Sequence, residues 1–137
     1  MGILLMNILL FDYDFTYKPS APFAEIEISS YSQNKETCQL WAMIDSGADA
    51  TIVPIGVLKR IGAQYKESRY MSGTAHGRLL VDLYLISVKI LSNGPLLNGI
   101  KAVGHPSLNE VVLGRDVLNQ LEITLNGPGE SVIIRND

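Results

Sequence analysis

The sequence predicts an all-β protein with one or two short helices. Apolar and polar residues alternate with a period of two in several segments, which is typical of half-buried strands. Clusters of Gly, Pro and Asn separate these segments, as expected for turns. Spacing of three or four residues, which indicates a helix, is confined to two short stretches in the middle and near the end of the chain.

The first apolar segment runs from Ile3 to Phe11. It is too short to cross a bilayer of about 30 Å, and no Lys or Arg precedes it, so it is predicted to be neither an anchor nor a signal. We interpret it as a strand at the domain edge or at a subunit interface. Residues 1–22 as a whole are therefore assigned as an N-terminal extension or interface strand.

Two strands are predicted to follow. Alternation from Phe23 to Ser29 indicates a strand with one buried and one solvated face. The next segment, Cys38 to Ile44, is apolar at nearly every residue, which favours a central strand covered on both faces, with Trp41 in the core. This strand leads directly into Asp45, so we expect it to hold the following turn rigidly.

The remaining elements are shorter, apart from one long strand. Pro54 can begin a helix that Gly62 ends. From Leu79 to Leu91 the apolar residues change from odd to even positions, which predicts a long strand that bends or carries a bulge. A short buried strand at 111–114, a helical turn at 115–121 and a hairpin formed by 122–125 and 131–134 complete the chain.

Composition limits the functions that the chain can have. The 137 residues are 47% hydrophobic and 18% charged, which fits one globular domain over residues 1–137. With 11 basic and 14 acidic residues the net charge is -3, which favours neither nucleic acid nor a membrane as partner. Cys38 is the only cysteine, which excludes an intrachain disulfide and favours a cytoplasmic location. The two histidines lack zinc spacing, so no metal and no cofactor are predicted.

Two motifs carry a family resemblance. The first, residues 42–51, reads Ala-Met-Ile-Asp-Ser-Gly-Ala-Asp-Ala-Thr, and the second, residues 111–118, reads Val-Val-Leu-Gly-Arg-Asp-Val-Leu. In this order they resemble the active-site signature and the late helix entry of the retropepsin-like aspartic proteases. The resemblance covers about 23–134 and implies a closed, barrel-like acid-protease lobe. A weak internal echo of strand, Gly-containing turn and helix at 42–61 and 111–121 suggests two half-lobes.

The chemistry of this class needs two carboxylates. A close pair shares one proton, so that one carboxylate acts as base on a water and the other as acid on the scissile carbonyl. Asp45 is the candidate, and Gly47 allows the backbone N–H to hold its carboxylate. Because Asp-Ser-Gly occurs once in the chain, the second Asp45 is predicted to come from another copy in a C2 homodimer. The resemblance implies that Ser46 hydrogen-bonds across the two-fold axis.

The resemblance also implies further site residues. Asp49, next to Ala48, would contact the backbone of a bound peptide and pair with Arg115. Residues 69–78 match the position of a flap over the substrate, with three tip residues at the substrate: Gly73, Thr74 and Ala75. Gly114 and Asp116 would support the site beside Arg115. From the sequence alone, Asp116 is interpreted as a helix N-cap.

We therefore predict an aspartic endopeptidase that cleaves extended peptides at hydrophobic positions. Four apolar residues near the site suggest this preference: Ile44, Ile52, Val53 and Leu83. The alternative is a catalytically silent homodimeric peptide-binding module of the same fold. A third interpretation, Ser46 as a nucleophile served by His76 or His105, is disfavoured because the Gly-x-Ser-x-Gly elbow is missing, and both histidines are predicted to lie in loops.

Overall fold

Strands dominate the computed structural model, which describes residues 3–5, 7–32, 36–72, 77–91 and 93–136. Eleven strands are present in this part of the chain: β1 (Ile3–Leu5), β2 (Ile8–Asp12), β3 (Phe23–Ser30), β4 (Thr37–Ile44), β5 (Ile52–Pro54), β6 (Gln64–Ser72), β7 (Arg78–Ile90), β8 (Leu96–His105), β9 (Val111–Leu113), β10 (Ile123–Asn126) and β11 (Ser131–Arg135). Two short helices accompany them, α1 (Ile55–Arg60) and α2 (Arg115–Leu118). The all-β prediction with one or two short helices is therefore confirmed.

Six of the strands close a barrel. Their order is β3-β4-β9-β5-β8-β7, and β7 pairs back onto β3. Most neighbours are antiparallel, but β4 pairs with β9 in parallel through Ala42 and Val111, and β5 pairs with β8 in parallel. The two strands of the predicted internal echo, β4 and β9, therefore lie side by side, with the turns that follow them at the same end.

The long strand β7 serves both the barrel and an outer hairpin. Its first part pairs with β6 from Arg78 to Leu85, and its last part pairs with β3 from Ile86 to Ile90. The register against β8 shifts between Ile86 and Val88. This irregularity is the predicted change of phase, and it lets one strand turn from the hairpin into the barrel wall.

A second sheet of four strands has the order β1-β2-β11-β10. The segment that we predicted as one strand from Ile3 to Phe11 is in fact the hairpin β1–β2, so the prediction of one continuous strand is wrong. Within this sheet β2 is an inner strand, because it pairs with both β1 and β11. The assignment of residues 1–22 as an N-terminal extension or interface strand stays a prediction. The predicted closing hairpin is confirmed as β10–β11.

One core joins the barrel and the second sheet. Barrel residues such as Ile26, Val88 and Leu113 are almost completely buried, and they belong to the same apolar cluster as Leu9 and Phe11 of β2. Each such side chain contributes about 1.5–3 kcal/mol by burial. The second sheet is thus attached to the barrel by ordinary core packing.

The prediction that β4 is covered on both faces is wrong for its first five residues. Gln39 and Trp41 are exposed, and Trp41 retains 41% of its accessible surface. Only Ala42 and Met43 of β4 pair with both β3 and β9, and the earlier residues of β4 pair with β3 alone. Trp41 consequently lies on an outer face and is not a core residue.

Both helices are short because glycine or a turn stops them. Gly62 follows α1 at φ 67°, and the N–H of Ala63 donates to Leu58 O at 2.9 Å, as in a Schellman ending. α2 ends at Leu118, earlier than the predicted 121, and a hydrogen-bonded turn continues to Leu121. Among the described residues, neither helix has the length or apolar character needed to span a membrane.

Candidate active site

Asp45 lies at the carboxyl end of β4, in a turn fixed by the backbone. Its N–H donates to Leu113 O of β9 at 3.0 Å, and its own carbonyl accepts from the N–H of Ala48 at 3.2 Å. The preceding residue, Ile44, donates to Pro22 O at 3.0 Å. The side chain of Asp45 is exposed. A rigid strand end thus presents an accessible carboxylate.

Gly47 orients that carboxylate. Its N–H donates to Asp45 Oδ1 at 2.9 Å, and a Cβ at this position would lie 3.2 Å from the same oxygen. Within the described part of the chain this N–H is the only hydrogen-bonding partner of the carboxylate. One oxygen is therefore held by an amide, while the other has no hydrogen-bonding partner among the described residues.

Arg115 connects the helix entry to the turn at residues 45–49, which follows β4. Its Nη1 donates to Ser46 O at 2.7 Å, its Nη2 forms the ion pair with Asp49 that the resemblance implied, and its N–H donates to Ala48 O at 2.9 Å. Asp49 is 66% exposed, so the ion pair itself contributes about 1 kcal/mol or less. The main effect of Arg115 is geometric, because its contacts hold Ser46, Ala48 and Asp49 of the turn in place.

A buried polar contact lies beneath this turn. Thr51 is completely buried; its hydroxyl donates to Asp116 Oδ1 at 2.7 Å, and its N–H donates to Asp116 Oδ2 at 3.1 Å. The same hydroxyl accepts from the N–H of Gly114 at 3.2 Å. These hydrogen bonds join the two halves of the predicted internal echo.

The N-cap assignment of Asp116 is wrong. Gly114 occupies the N-cap of α2 and makes no side-chain cap, while Asp116 lies inside the first turn. Its carboxylate accepts from Thr51 and from the N–H of Val117 at 2.9 Å. Thr51 was not predicted as a site residue, although a hydroxyl between the apolar neighbours Ala50 and Ile52 is a signal for a buried hydrogen bond.

Gly114 is required by a close backbone approach. A Cβ at this position would lie 2.5 Å from the carbonyl carbon of Ala50, 2.6 Å from Ala50 O and 3.0 Å from Ala48 O. The loop at Ala48 to Ala50 therefore packs directly on the start of α2, and there is no room for a side chain at residue 114.

An open groove of about 350 Å³ runs beside the turn. Its lining is mainly apolar and comes from the turn, the hairpin arms and the barrel: Gly47, Ala48, Asp49, Ala50, Ile52, Met71, Ser72, Leu79, Val81, Val103 and His105. Of the four residues predicted to favour hydrophobic substrates, only Ile52 lines this groove. Ile44 and Val53 are buried in the core, and Leu83 lines an adjoining cavity with Arg69 and Lys101.

The arms of the β6–β7 hairpin border the groove, but its predicted tip lies outside the described residues. Ser72 pairs with Arg78 at the last described pair of the hairpin. Gly73, Thr74, Ala75 and His76 all fall within the undescribed stretch. Their assignment as flap residues stays a prediction.

The geometry around His105 does not fit a serine nucleophile. His105 is the last residue of β8 rather than a loop residue, and its Nδ1 accepts from the N–H groups of Ser107 at 3.1 Å and Leu108 at 2.8 Å. No hydrogen bond between Ser46 and His105 is present in the described part of the chain. Nor do the described side chains include a group of three or more His, Cys, Asp or Glu residues suited to a metal ion.

Two carboxyl groups with shifted pKa values lie outside the turn that carries Asp45. The hydrogen bond and charge of Lys101, assisted by Arg69, hold the pKa of Glu67 below its usual range. A hydrogen bond from the Thr16 hydroxyl, with a second from its N–H, likewise lowers the pKa of Asp14. Both groups are therefore ionised over a wide pH range.

Solved structures identify the class of fold. A retropepsin-like aspartic protease from Rickettsia conorii matches with a TM-score of 0.60 at 14% identity, over 98% of this chain and 96% of that chain. EIAV protease complexed with the inhibitor HBY-793 matches with a TM-score of 0.48 at 16% identity, over 73% and 86%. At such identities the first likeness establishes the fold alone: it is a retropepsin-like barrel, as predicted.

A family model that matches the amino-acid sequence identifies the family. The family described as "gag-polyprotein putative aspartyl protease" matches residues 33–120, more than half of the chain. This protein therefore belongs to that aspartyl protease family. No curated protein matches the chain by sequence.

Proposed function

We propose that this protein is an aspartic endopeptidase whose active site forms when two copies bring their Asp45 carboxylates together. The observation that carries the proposal is the Asp45 side chain itself. It is exposed at the rigid end of a strand and held by a single amide, and the residues that follow it in the turn, Gly47 to Ala50, line an open apolar groove. Structural carboxylates in this chain are arranged differently, since that of Asp116 accepts three hydrogen bonds.

The proposed reaction uses the shared proton of the pair. The ionised Asp45 takes a proton from a water as the water oxygen attacks the scissile carbonyl carbon, and the protonated Asp45 of the second copy donates to the carbonyl oxygen. The tetrahedral diol collapses when the first Asp45 donates the proton it took from the water to the leaving nitrogen, a diol hydroxyl returns its proton to the Asp45 of the second copy, and the C–N bond breaks. No covalent enzyme intermediate and no cofactor are needed.

An extended peptide is the substrate that fits the groove. Ile52, Leu79 and Val81 provide apolar contacts, which favour hydrophobic residues near the cut. The hairpin arms β6 and β7 border this groove, and we propose that their tip, with Gly73, Thr74 and Ala75, closes over the peptide and excludes water. Ala48 and Asp49 also line the groove, and we propose that they contact the peptide backbone.

The second copy is proposed because one chain supplies one Asp-Ser-Gly turn. Strand β10 supports this proposal: it is an edge of the second sheet, and Leu125 on it is 46% exposed. Pairing of two β10 edges around a two-fold axis would join the two sheets and cover Leu125.

The test is cleavage of a diverse peptide mixture between pH 4 and 7, read by mass spectrometry, with Asp45→Asn and Asp45→Ala as matched variants. Asn keeps the size of the side chain and an acceptor for Gly47, so the fold is retained. We expect the parent to cleave and both variants to lose at least 1000-fold in kcat/KM, in keeping with the loss of acid–base catalysis by about 10²–10⁴. Equal cleavage by Asp45→Asn would refute the mechanism. Binding without cleavage by a parent dimer would instead favour the silent peptide-binding module.

A further inference from the structure

The imidazole of His105 lies on the wall of the proposed substrate groove, and the reaction proposed above gives it no role. His105 is the last residue of β8 and is half-buried, and it lines the groove together with Val103, two residues earlier on the same strand. Side chains two residues apart share one face of a strand. Gly104, between them, faces the other way, because a Cβ there would lie 3.1 Å from Leu58 of α1. The ring of His105 is thus placed on the groove face of β8.

Two backbone N–H groups fix the orientation of this ring. Nδ1 of His105 accepts from the N–H of Ser107 at 3.1 Å and from the N–H of Leu108 at 2.8 Å. A ring nitrogen that accepts hydrogen bonds carries no proton, so the neutral imidazole carries its proton on Nε2. The turn after β8 therefore selects one tautomer, in which Nε2 is a hydrogen-bond donor.

Nε2 of His105 is accessible to a ligand. It makes no hydrogen bond among the described residues, and in that part of the chain no buried side-chain nitrogen or oxygen atom lacks a partner. An unpartnered Nε2 must therefore reach solvent. Of the described side chains that line the groove, only those of Ser72 and His105 can donate a hydrogen bond. This N–H is thus one of two side-chain donors that the described lining offers to a peptide.

We propose that His105 is a substrate-binding residue, whose Nε2–H donates to a backbone carbonyl oxygen of the peptide in the groove. An extended peptide has a carbonyl acceptor at every residue, and a carbonyl that leaves water without finding a donor weakens binding. The fixed ring meets this need without further ordering of the side chain. This role rests on the proposed function, because it concerns the same groove and the same peptide, and it assigns no proton transfer to His105.

The tautomer of His105 can be measured without a substrate. Nitrogen-15 NMR distinguishes protonated from unprotonated ring nitrogens, and through-bond correlation to the backbone assigns the signals to His105. We expect the neutral ring to have an unprotonated Nδ1 and a protonated Nε2. A neutral ring with its proton on Nδ1 would overturn the proposal, whether or not the protein cleaves peptides.

Peptide binding is measured by NMR titration of the Asp45→Asn protein, which is expected not to cleave. The probe is the peptide that the parent cleaves best or, if none is cleaved, acetyl-Ser-Val-Leu-Phe-Ala-Lys-amide. We expect the Nε2 signal of His105 to shift with saturation. Adding His105→Asn should weaken binding by roughly fivefold or more, as for the loss of one hydrogen bond. In the active parent, His105→Asn should raise KM by a similar factor with little change in kcat.

Two substitutions separate the donor in the groove from the acceptor that holds the turn. Asn places an oxygen near the position of Nδ1 and can keep both backbone hydrogen bonds, as in an Asx turn, but it has no group near Nε2. Gln places an amide N–H near Nε2 and lacks the acceptor near Nδ1. We expect faster amide exchange at Ser107 and Leu108 only in His105→Gln, and the larger loss of peptide affinity in His105→Asn.

The outcomes separate this role from the peptidase activity. Peptide binding with no response at Nε2, or with equal affinity after His105→Asn, would overturn the role and leave the peptidase proposal standing. A response at Nε2 in a protein whose parent cleaves nothing would support the role and contradict the peptidase. No binding up to millimolar peptide would overturn both. Should His105→Asn not fold, the tautomer and the Nε2 response of the unchanged imidazole still decide.

Discussion

Glycine at position 114 lets two backbone segments touch at the site. The loop carrying Ala48 and Ala50 lies so close to the start of α2 that any Cβ would come within 2.6 Å of a carbonyl group. The adjoining residue, Arg115, then reaches Ser46 and Asp49. The absence of a side chain at residue 114 thus allows Arg115 to make the contacts that hold the Asp45 turn in place.

We expect Gly114→Ala to destabilise the fold by about 2–3 kcal/mol, because the clash is with backbone, which moves less readily than a side chain. Urea unfolding measures the effect. Gly56→Ala is the matched control: this helical glycine has no neighbour within 4 Å, so alanine there is expected to stabilise α1 by up to about 1 kcal/mol. Equal effects at the two positions would contradict the close-approach argument.

Thr51 is the other residue on which the turn depends. Thr51→Val keeps the shape of the side chain but removes the hydroxyl, and this leaves the N–H of Gly114 and one oxygen of Asp116 without their buried partner. We expect a loss of about 1–3 kcal/mol in the free energy of unfolding. Thr124→Val on the exposed part of β10 is the control and should change stability by less than about 0.5 kcal/mol.

At the scale of elements, the β6–β7 hairpin is connected to the barrel by charge as well as by pairing. Lys101 of β8 and Arg69 of β6 both donate to Glu67 Oε1, at 3.2 and 2.6 Å. The three side chains are partly or largely exposed, so their contribution to stability is small. Their contact nevertheless links the base of the hairpin to a neighbouring strand of the barrel.

This contact predicts a pH dependence with a definite sign. Because the folded-state pKa of Glu67 is lowered, mainly by Lys101, its contribution to stability is present above the unfolded-state pKa and is lost as the pH falls through the folded-state pKa. An NMR titration of the Glu67 carboxyl should give a pKa below that of a free glutamate, and Lys101→Met should raise it. A pKa that does not respond to this substitution would show that Lys101 is not the cause.

The same hairpin shows why part of the fold escaped prediction. Strand β6 is exposed on both faces over most of its length, so no face selects apolar residues and the alternation that reveals a strand is missing. In β8 the exposed pair Asn98 and Gly99, the latter at φ 73°, interrupts the pattern. By contrast, β3, β7 and β9 each bury a recognisable set of side chains, and these strands were predicted.

The candidate site, like the fold, could be predicted only in part. Asp45, Gly47, Gly114 and Arg115 were found because their residue types follow from local chemistry and from two matched motifs. The role of Asp116 was not, because its partner Thr51 is 65 residues away, and the pairing of β9 with both β4 and β5 brings the two together. The exposure of Trp41 was missed for a similar reason, since it depends on which strands neighbour β4.

At the scale of the whole molecule, the proposed dimer makes activity depend on concentration. Only a dimer has two Asp45 carboxylates, so specific activity should fall on dilution below the dissociation constant. We expect Leu125→Asp to increase that constant at least tenfold by placing charge on the β10 edge, as measured by analytical ultracentrifugation. Tyr31→Asp, at a residue 52% exposed in the loop after β3, is the control and should leave the dimer intact. Constant specific activity at dilutions where only monomer sediments would contradict the shared site.

The parallel pairing of β4 with β9 also affects how the protein matures. Asp45 is in the first third of the chain, but its turn is fastened by Leu113, Gly114, Arg115 and Asp116, which a ribosome adds much later. Until that segment emerges, the nascent chain carries the carboxylate without the contacts that hold it in place. A growing polypeptide therefore cannot assemble the complete turn until synthesis has passed residue 116.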